Sequence, residues 1–357
     1  MRSSSGDYYI GLDHVRALAA FLVFSWHFIH AGNGRLIPFA YVPSLFPFSL
    51  VDEGHTGVAL FMTLSGYLFA KLLDSKNIKP AAFIWNRILR LFPLLVIVIV
   101  MVGLLEYRAG RSLSRYAERI LMGAFLPTLP NGGWSITIEF HFYVILPMLL
   151  WLSRKSRFAL LCVEGALLII RYILYRKTGE IQTMAFWTII GRLDQFVFGI
   201  TAYHFRSIIS GNHRFAVFSL IAFSVFYWYF DYQGGFYCGP SYPSHRLIWV
   251  FLPAVEGLAY AVLISWYDNT FRHSNHFFSK WLARIGTYSY SIYLLHFFIV
   301  FTMAEFIHTR LLPLSNFYLA VGAAAVCFLM MIPVGALSYR FIETPFLQLR
   351  KQYILDG

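Results

Sequence analysis

An arginine and a histidine stand eleven residues apart in an otherwise apolar run, Gly11-Leu-Asp-His-Val-Arg16-Ala-Leu-Ala-Ala-Phe-Leu-Val-Phe-Ser-Trp-His27. On a helix, eleven steps of 100° return to within about 20° of the same face, and the rise per residue separates the pair by about 16 Å. One face thus carries a cation near one end and an imidazole about three turns deeper. This arrangement suits a ligand with an anionic head and a long thin arm. The guanidinium fork matches phosphate geometry, and a histidine at the reactive end can serve as base or nucleophile. Taken singly, each residue has a plainer reading: Arg16 snorkelling to headgroups, His27 hydrogen-bonded between helices.

Three further groups stand near enough in helical spacing to share a face. Arg87 and Arg90, three apart, follow Lys71, Lys76 and Lys79 and form either a polyanion clamp or ordinary basic anchoring. In Asn131-Gly-Gly-Trp134-Ser135-Ile-Thr-Ile-Glu139, the spacing places Ser135 and Glu139 together, where the carboxylate can orient a histidine or simply bond a neighbouring helix. His141 lies about 200° round the helix from Glu139 and is not its partner. Ser289, Tyr293 and His296 share a face at i, i+4 and i+7, as a polar cavity wall or a packing surface. Glu343 pairs with arginines or is solvated, and Arg192 with Asp194 falls near an expected helix end. Glu164, Arg171, Glu256 and Glu305 are the other charges within apolar segments. P-loop, GxGxxG, GxSxG and zincin patterns are missing, as is histidine spacing for a metal.

The elements that hold these residues must cross a membrane. The chain is 58% hydrophobic and 13% charged, whereas soluble domains carry roughly a quarter charged residues. Unbroken apolar runs of about 20 residues can span the hydrocarbon region as helices, which satisfy every backbone group internally. The fold expected is all-α and polytopic, with ten spans at about 10–30, 56–73, 88–106, 134–152, 158–175, 186–205, 213–230, 247–266, 284–308 and 317–340. Asp13, His14 and Arg16 argue against a cleavable signal peptide in the first span.

With the N-terminus inside, most of the 29 Lys and Arg residues, Arg2 and Arg157 among them, fall in the tail and the even-numbered connections. Both termini are therefore expected in the cytoplasm. The connection at 107–133 runs against this rule with Arg108, Arg111, Arg115 and Arg119, so an interfacial or re-entrant piece is expected around 116–126. The net charge of +12 does not call for nucleic acid, because the basic residues flank spans and favour anionic headgroups. Cys162, Cys238 and Cys327 make no disulfide framework. The aromatic stretch at 226–245 suits sugar stacking or an interfacial belt equally.

Several segments, taken in order, resemble the membrane-bound acyltransferase family 3, bacterial acetylases of surface and exported polysaccharides. The matching residues are Leu12-Asp13 with Arg16 and His27; Gly57-Val-Ala-Leu-Phe61-Met-Thr-Leu-Ser65-Gly66; Arg87-Ile-Leu-Arg90; Trp134-Ser135 with Glu139, Phe142 and Tyr143; Ser289-Tyr-Ser-Ile-Tyr293-Leu-Leu-His296; and Phe341-Ile-Glu343-Thr-Pro345. The resemblance implies a ten-helix acyltransferase domain, over 1–346 with a short cytoplasmic tail at 347–357 and no appended soluble domain. It implies an inner-membrane enzyme that takes acetyl from cytoplasmic acetyl-CoA, without a metal, and delivers it to a hydroxyl of a glycan or its lipid-linked precursor. The family's essential pair falls on Arg16 and His27, and its R-x-x-R element on Arg87 and Arg90. One departure is Ala59, where the family often has an acidic residue; Asp52, Glu53 or His55 stand just upstream.

On this reading His27 acts as base or nucleophile, with Glu139 and His296 orienting groups at the reacting centre. Arg16, Arg87 and Arg90 bind CoA phosphates, and Trp134, Ser135 and Tyr293 face the acceptor. Two rivals use the same residues differently: a proton-coupled transporter of sugar or lipid-linked sugar, with His and carboxylates as a relay, and a scaffold subunit of a polysaccharide assembly machine.

Overall fold

A computed structural model describes residues 9–30, 46–74, 76–156, 158–237, 242–274 and 276–355. Arg2, Arg157 and Cys238 lie outside the described residues, as do 238–241 of the aromatic stretch. The chain runs through α1 (Ile10–His30), one-turn α2 (Ser49–Asp52), α3 (Thr56–Leu73), α4 (Pro80–Arg108), α5 (Leu113–Met122), α6 (Trp134–Lys155) and α7 (Ala159–Thr178). There follow α8 (Gln182–Trp187), α9 (Ile189–His204), α10 (Arg206–Ile209), α11 (His213–Tyr232), α12 (Ile248–Thr270), α13 (Phe277–Leu295), α14 (Val300–Phe306), α15 (Phe317–Ser338) and α16 (Thr344–Leu347). Local signals set several ends. Pro80 opens α4, where its missing N–H costs nothing, the Asn316 side chain caps α15, and left-handed Gly179 closes α7.

The protein is an all-α polytopic membrane protein. Among the described residues, seven helices are long and apolar enough to cross a membrane, or eight if α13 and α14, bent by 58° at one break, count as a single span. Each of the ten expected spans coincides with helix, but two fall short of that standard for physical reasons. α7 carries Glu164, Arg171, Arg176 and Lys177. The segment expected at 186–205 breaks at Thr188, leaving α9 only 16 residues long. Within the connection at 107–133, residues Leu113–Met122 form the helix α5, whose N-terminus is capped by Ser112 and which overlaps part of the stretch 116–126.

α1 and α3 form the centre, each 78% buried along its apolar window, whereas α4 is 28% buried and turns Val96, Val100 and Leu104 outward. Such an outward apolar face has hydrocarbon as its natural solvent. α3 packs on α9, α1 on α13, and α12 on both α3 and α9. The α3–α9 crossing depends on glycine: a Cβ on Gly66 would lie 2.0 Å from the Phe196 carbonyl oxygen, and one on Gly199 would lie 2.1 Å from that of Thr63. Small residues let backbones approach closely where lipid gives no hydrophobic drive for association.

Both described chain ends meet at one end of the bundle, here termed the N-terminal end. Lys71 stands 4.2 Å from the Tyr9 ring, and β1 (Asn77–Ile78) pairs antiparallel with β2 (Ile354–Leu355), Asn77 opposite Leu355 and Ile78 opposite Ile354.

Candidate functional site

Six of the nine residues given a role at the site from the sequence line one cavity. Arg16 comes from α1, Arg87 and Arg90 from α4, Ser135 and Glu139 from α6, and Tyr293 from α13, around about 860 Å³ of empty space partly open to the outside. The helical-face argument for α6 holds, since Ser135 and Glu139 both reach this cavity. Just before α6 the chain turns sharply through Asn131 (φ 51°) and Gly132 (φ 77°), conformations that suit Asn and Gly. The Tyr293 hydroxyl donates to the Gly132 carbonyl at 3.2 Å, tying α13 to this turn.

The cations do not stand alike. Arg16 has its own counter-ion, since its guanidinium donates to the Asp13 carboxylate one turn earlier. Arg87 lies among aromatic faces, 5.2 Å from the Phe69 ring centre and 5.6 Å from that of Phe83, an arrangement that stabilises a cation without neutralising it. Glu139 accepts hydrogen bonds from the Tyr143 and Ser65 hydroxyls, the latter at 3.5 Å. Its hydrogen-bonded partners are thus hydroxyls rather than either histidine.

His27 and His296 meet at the deeper end of α1. The His296 Nε2 lies 3.2 Å from the His27 Nδ1, and the same His27 Nδ1 is 2.9 Å from the Val23 carbonyl. The His296 Nδ1 is 3.1 Å from the Ile292 carbonyl. Carbonyl oxygens only accept, so in each neutral ring the proton belongs on Nδ1. The His296 Nε2 is then an acceptor facing the His27 Nδ1–H, and the His27 Nε2 keeps a free lone pair. This tautomer pattern is inferred from the hydrogen-bond network. His296 closes α13, its backbone N–H on the Ile292 carbonyl, and opens the tight turn over His296–Phe298 that precedes the bend. Tyr293 joins the two regions: it lines the cavity, and its ring centre lies 6.1 Å from that of His296.

His27, His296 and Trp134 are not among the cavity-lining residues. Trp134 turns instead into an aromatic cluster, its ring 4.5 Å from Trp187 and 5.1 Å from Phe186. His141 bonds the Ala124 carbonyl at 2.9 Å, away from Glu139.

Four of the remaining intramembrane charges form structural pairs, whereas the Glu164 carboxylate is buried without a hydrogen-bond partner among the described residues and Glu305 is exposed. Arg171 pairs with Asp194 at 2.7 Å, and Arg192 with Glu256 at 3.2 Å, all four buried. Glu256 also accepts from the Gln195 amide at 2.8 Å and the Tyr227 hydroxyl at 2.5 Å. Arg192 and Asp194 therefore meet protein groups rather than headgroups. Glu343 is buried and accepts from the Ser291 hydroxyl, which rules out the solvated alternative. Ala59 is fully buried. The acidic residues upstream of it form a separate group between α1 and α3. There burial raises the Glu53 carboxyl to about 7 and the Asp52 carboxyl to about 6, and lowers His55 to about 3. The Glu53 carboxylate accepts the Phe236 N–H at 3.1 Å and lies 3.0 Å from the His55 Nε2. Among the described residues no group of three or more His, Cys, Asp or Glu is placed to hold a metal ion.

Sequence reasoning left Ser65, Tyr143 and Tyr290 without roles, yet all three line the cavity. Tyr143 had a signal, standing four residues after Glu139 on the same face. Ser65 had none, because its bond to Glu139 links residues 74 positions apart.

A family model described as an acyltransferase domain, of the acyltransferase 3 type, matches residues 9–339. A Staphylococcus aureus (strain COL) protein, named only provisionally as an O-acetyltransferase, is 23% identical over 95% of this chain and 57% of its own. Peptidoglycan O-acetyltransferase OatA of Listeria monocytogenes is 24% identical over 96% of this chain and 56% of its own. Nodulation protein 10 of Rhizobium leguminosarum bv. viciae is 28% identical over 40% of this chain and 44% of its own. The chain thus spans little more than half the length of the first two. No solved structure matches it.

Proposed function

Because the chain belongs to the acyltransferase 3 family, we propose that it moves acetyl from cytoplasmic acetyl-CoA across the bacterial inner membrane to a hydroxyl of a surface or exported glycan. The single observation that carries this reading is the layout of the cavity: three guanidiniums from two helices line it, and it abuts the His27–His296 pair through Tyr293. A phosphorylated head and a long thin arm fit that layout, with Arg16, Arg87 and Arg90 holding phosphates and the arm leading the thioester towards His27. Ser135, Tyr293 and Trp134 belong to the acceptor side in this reading, and Glu139 to positioning through Tyr143.

His27 takes the acceptor's proton on Nε2 as the hydroxyl oxygen bonds to the acetyl carbonyl carbon. The carbon–sulfur bond breaks, and the proton passes to sulfur, so that CoA leaves as its thiol. The positive charge held meanwhile on His27 is shared through Nδ1–H with the His296 Nε2, which acts as a positioning group. In a two-step route the His27 Nε2 bonds to the carbonyl carbon as the carbon–sulfur bond breaks and CoA leaves as its thiolate; the acceptor hydroxyl oxygen then takes acetyl from the imidazole, and its proton ends on the thiolate sulfur. Rapid quench without acceptor distinguishes them: acetyl-histidine at position 27 identifies the two-step route.

The decisive experiment compares glycan mass spectra from cells carrying the wild-type chain or His27→Ala, each shown to insert in the membrane. Loss of the 42-Da acetyl increment with the variant is expected, 42 being roughly the mass that one acetyl adds in this transfer. Unchanged acetylation sinks the assignment. A transporter would change glycan flux with acetylation intact.

A further inference from the structure

The residues after α16 return to the N-terminal end and are fastened beside the arginine pair. The Asn86 amide donates to the Lys351 carbonyl at 2.7 Å, and the Lys351 N–H donates to the Asn86 side-chain oxygen at 2.9 Å. Lys79 N–H donates to the Tyr353 carbonyl at 2.8 Å. The Tyr353 ring is fully buried, 5.5 Å from that of Phe83. Asn86 immediately precedes Arg87, so this clasp fixes residue 350 against the start of the Arg87–Arg90 helix.

Arg350 is held there at a cost. Its Nε and Nη2, and the Nε of Arg87, are buried with no hydrogen-bond partner among the described residues. No carboxylate among the described residues stands at ion-pair distance from Arg87 or Arg350; the one nearby, Glu343, is bonded to Ser291 instead. Burial first, then the charges of Arg90 and Arg87, bring Arg350 down to about 10. Buried donors without acceptors, as at Arg350 and Arg87, and guanidiniums gathered close together are both unfavourable. A multiply charged anion removes both penalties together.

We propose that Arg350, presented by the C-terminal strap, is the third guanidinium of an anion site with Arg87 and Arg90, which takes a phosphate-bearing ligand carrying two or more negative charges. This rests on the donor reading above when the ligand is named as CoA, whose phosphates would otherwise meet only the cavity arginines. An anionic lipid headgroup has the same chemistry and is the other source.

The test uses the full chain in phosphatidylcholine nanodiscs, with CoA, pantetheine and pyrophosphate as probes. Arg350→Gln should reduce the preference for CoA over pantetheine by about tenfold or more, as expected for one charge-assisted bond, and Arg350→Lys should restore part of it. A variant that weakens both probes equally, or keeps the wild-type preference, overturns the proposal. If the wild type binds no CoA, the donor reading fails by itself, and pyrophosphate decides the site: about tenfold weaker binding in Arg350→Gln upholds it, and equal binding overturns it. Repeating the titration in phosphatidylglycerol assigns the occupant. A wild-type affinity for CoA that falls to the variant's value upholds the site as one held by headgroups. An undiminished, Arg350-dependent affinity upholds the soluble phosphate.

Discussion

Replacing His296 by Ala probes how two buried rings divide one task. In the neutral pair, His296 accepts a weak second bond from a His27 N–H that already serves the Val23 carbonyl, so binding of substrate should change little. Once His27 holds the acceptor's proton, the 3.2 Å contact becomes charge-assisted, worth about 1.5–3 kcal/mol. At 1.36 kcal/mol per factor of ten, its loss slows transfer by about tenfold to 150-fold. His27→Ala removes the acid–base group itself and should cost about 10²–10⁴. Because His296 acts only through His27, the double variant should be no slower than His27→Ala alone. His296→Gln, which keeps an acceptor, should recover part of the loss. The assay is single-turnover transfer of labelled acetyl from acetyl-CoA in proteoliposomes, with variants matched in melting temperature. A His296→Ala rate within twofold of wild type, or a double variant slowed by the product of the single effects, refutes the reasoning.

Three further outcomes rest on the fold rather than on the chemistry. Arg192→Leu strands the buried Glu256 and should destabilise the bundle by about 3–5 kcal/mol, whereas Arg192→Met with Glu256→Leu should recover most of it; detergent melting curves compare them, and equal loss in both contradicts the pairing. Gly66→Ala forces a Cβ to 2.0 Å from the Phe196 carbonyl oxygen, so α3 and α9 must separate; the expected result is a lower melting temperature than for Gly165→Ala, whose added Cβ meets nothing within 4 Å. Glu53 is raised from the ordinary 4.5 to about 7 by burial, so the folded chain keeps a proton that the unfolded chain releases. Stability from this group is full below 4.5 and is lost as pH rises to about 7. The melting temperature should therefore fall across that range, and Glu53→Gln should flatten the fall; an unchanged slope in the variant speaks against the assignment.

How much of this was legible in the sequence follows from which distances a single helix fixes. Arg16 with His27, Arg87 with Arg90, and Ser135 with Glu139 were readable because rise and turn angle determine each pair. The meeting of Arg16, Arg87, Arg90, Ser135 and Glu139 around one cavity was not, since it depends on crossings such as Gly66 against Gly199. Partners were hidden for the same reason: Arg192 and Glu256 were visible as charges, but 64 positions separate them. Arg350 falls within the stretch 347–357 read only as a short tail, because nothing local announces the strap that returns it to Asn86. The face shared by Ser289, Tyr293 and His296 shows where periodicity itself gives out. Ser289 and Tyr293 line the cavity as the spacing requires, but at His296 the helix tightens before the 58° break, and this ring is in contact with His27. A rule built on 3.6 residues per turn holds only while the helix does. Irregular backbone within a membrane bundle persists where protein or a cavity surrounds it. His296 itself still closes α13, its backbone N–H and its Nδ1 both on the Ile292 carbonyl, and it is the neighbouring α1 that sets what its Nε2 meets, His27 at 3.2 Å.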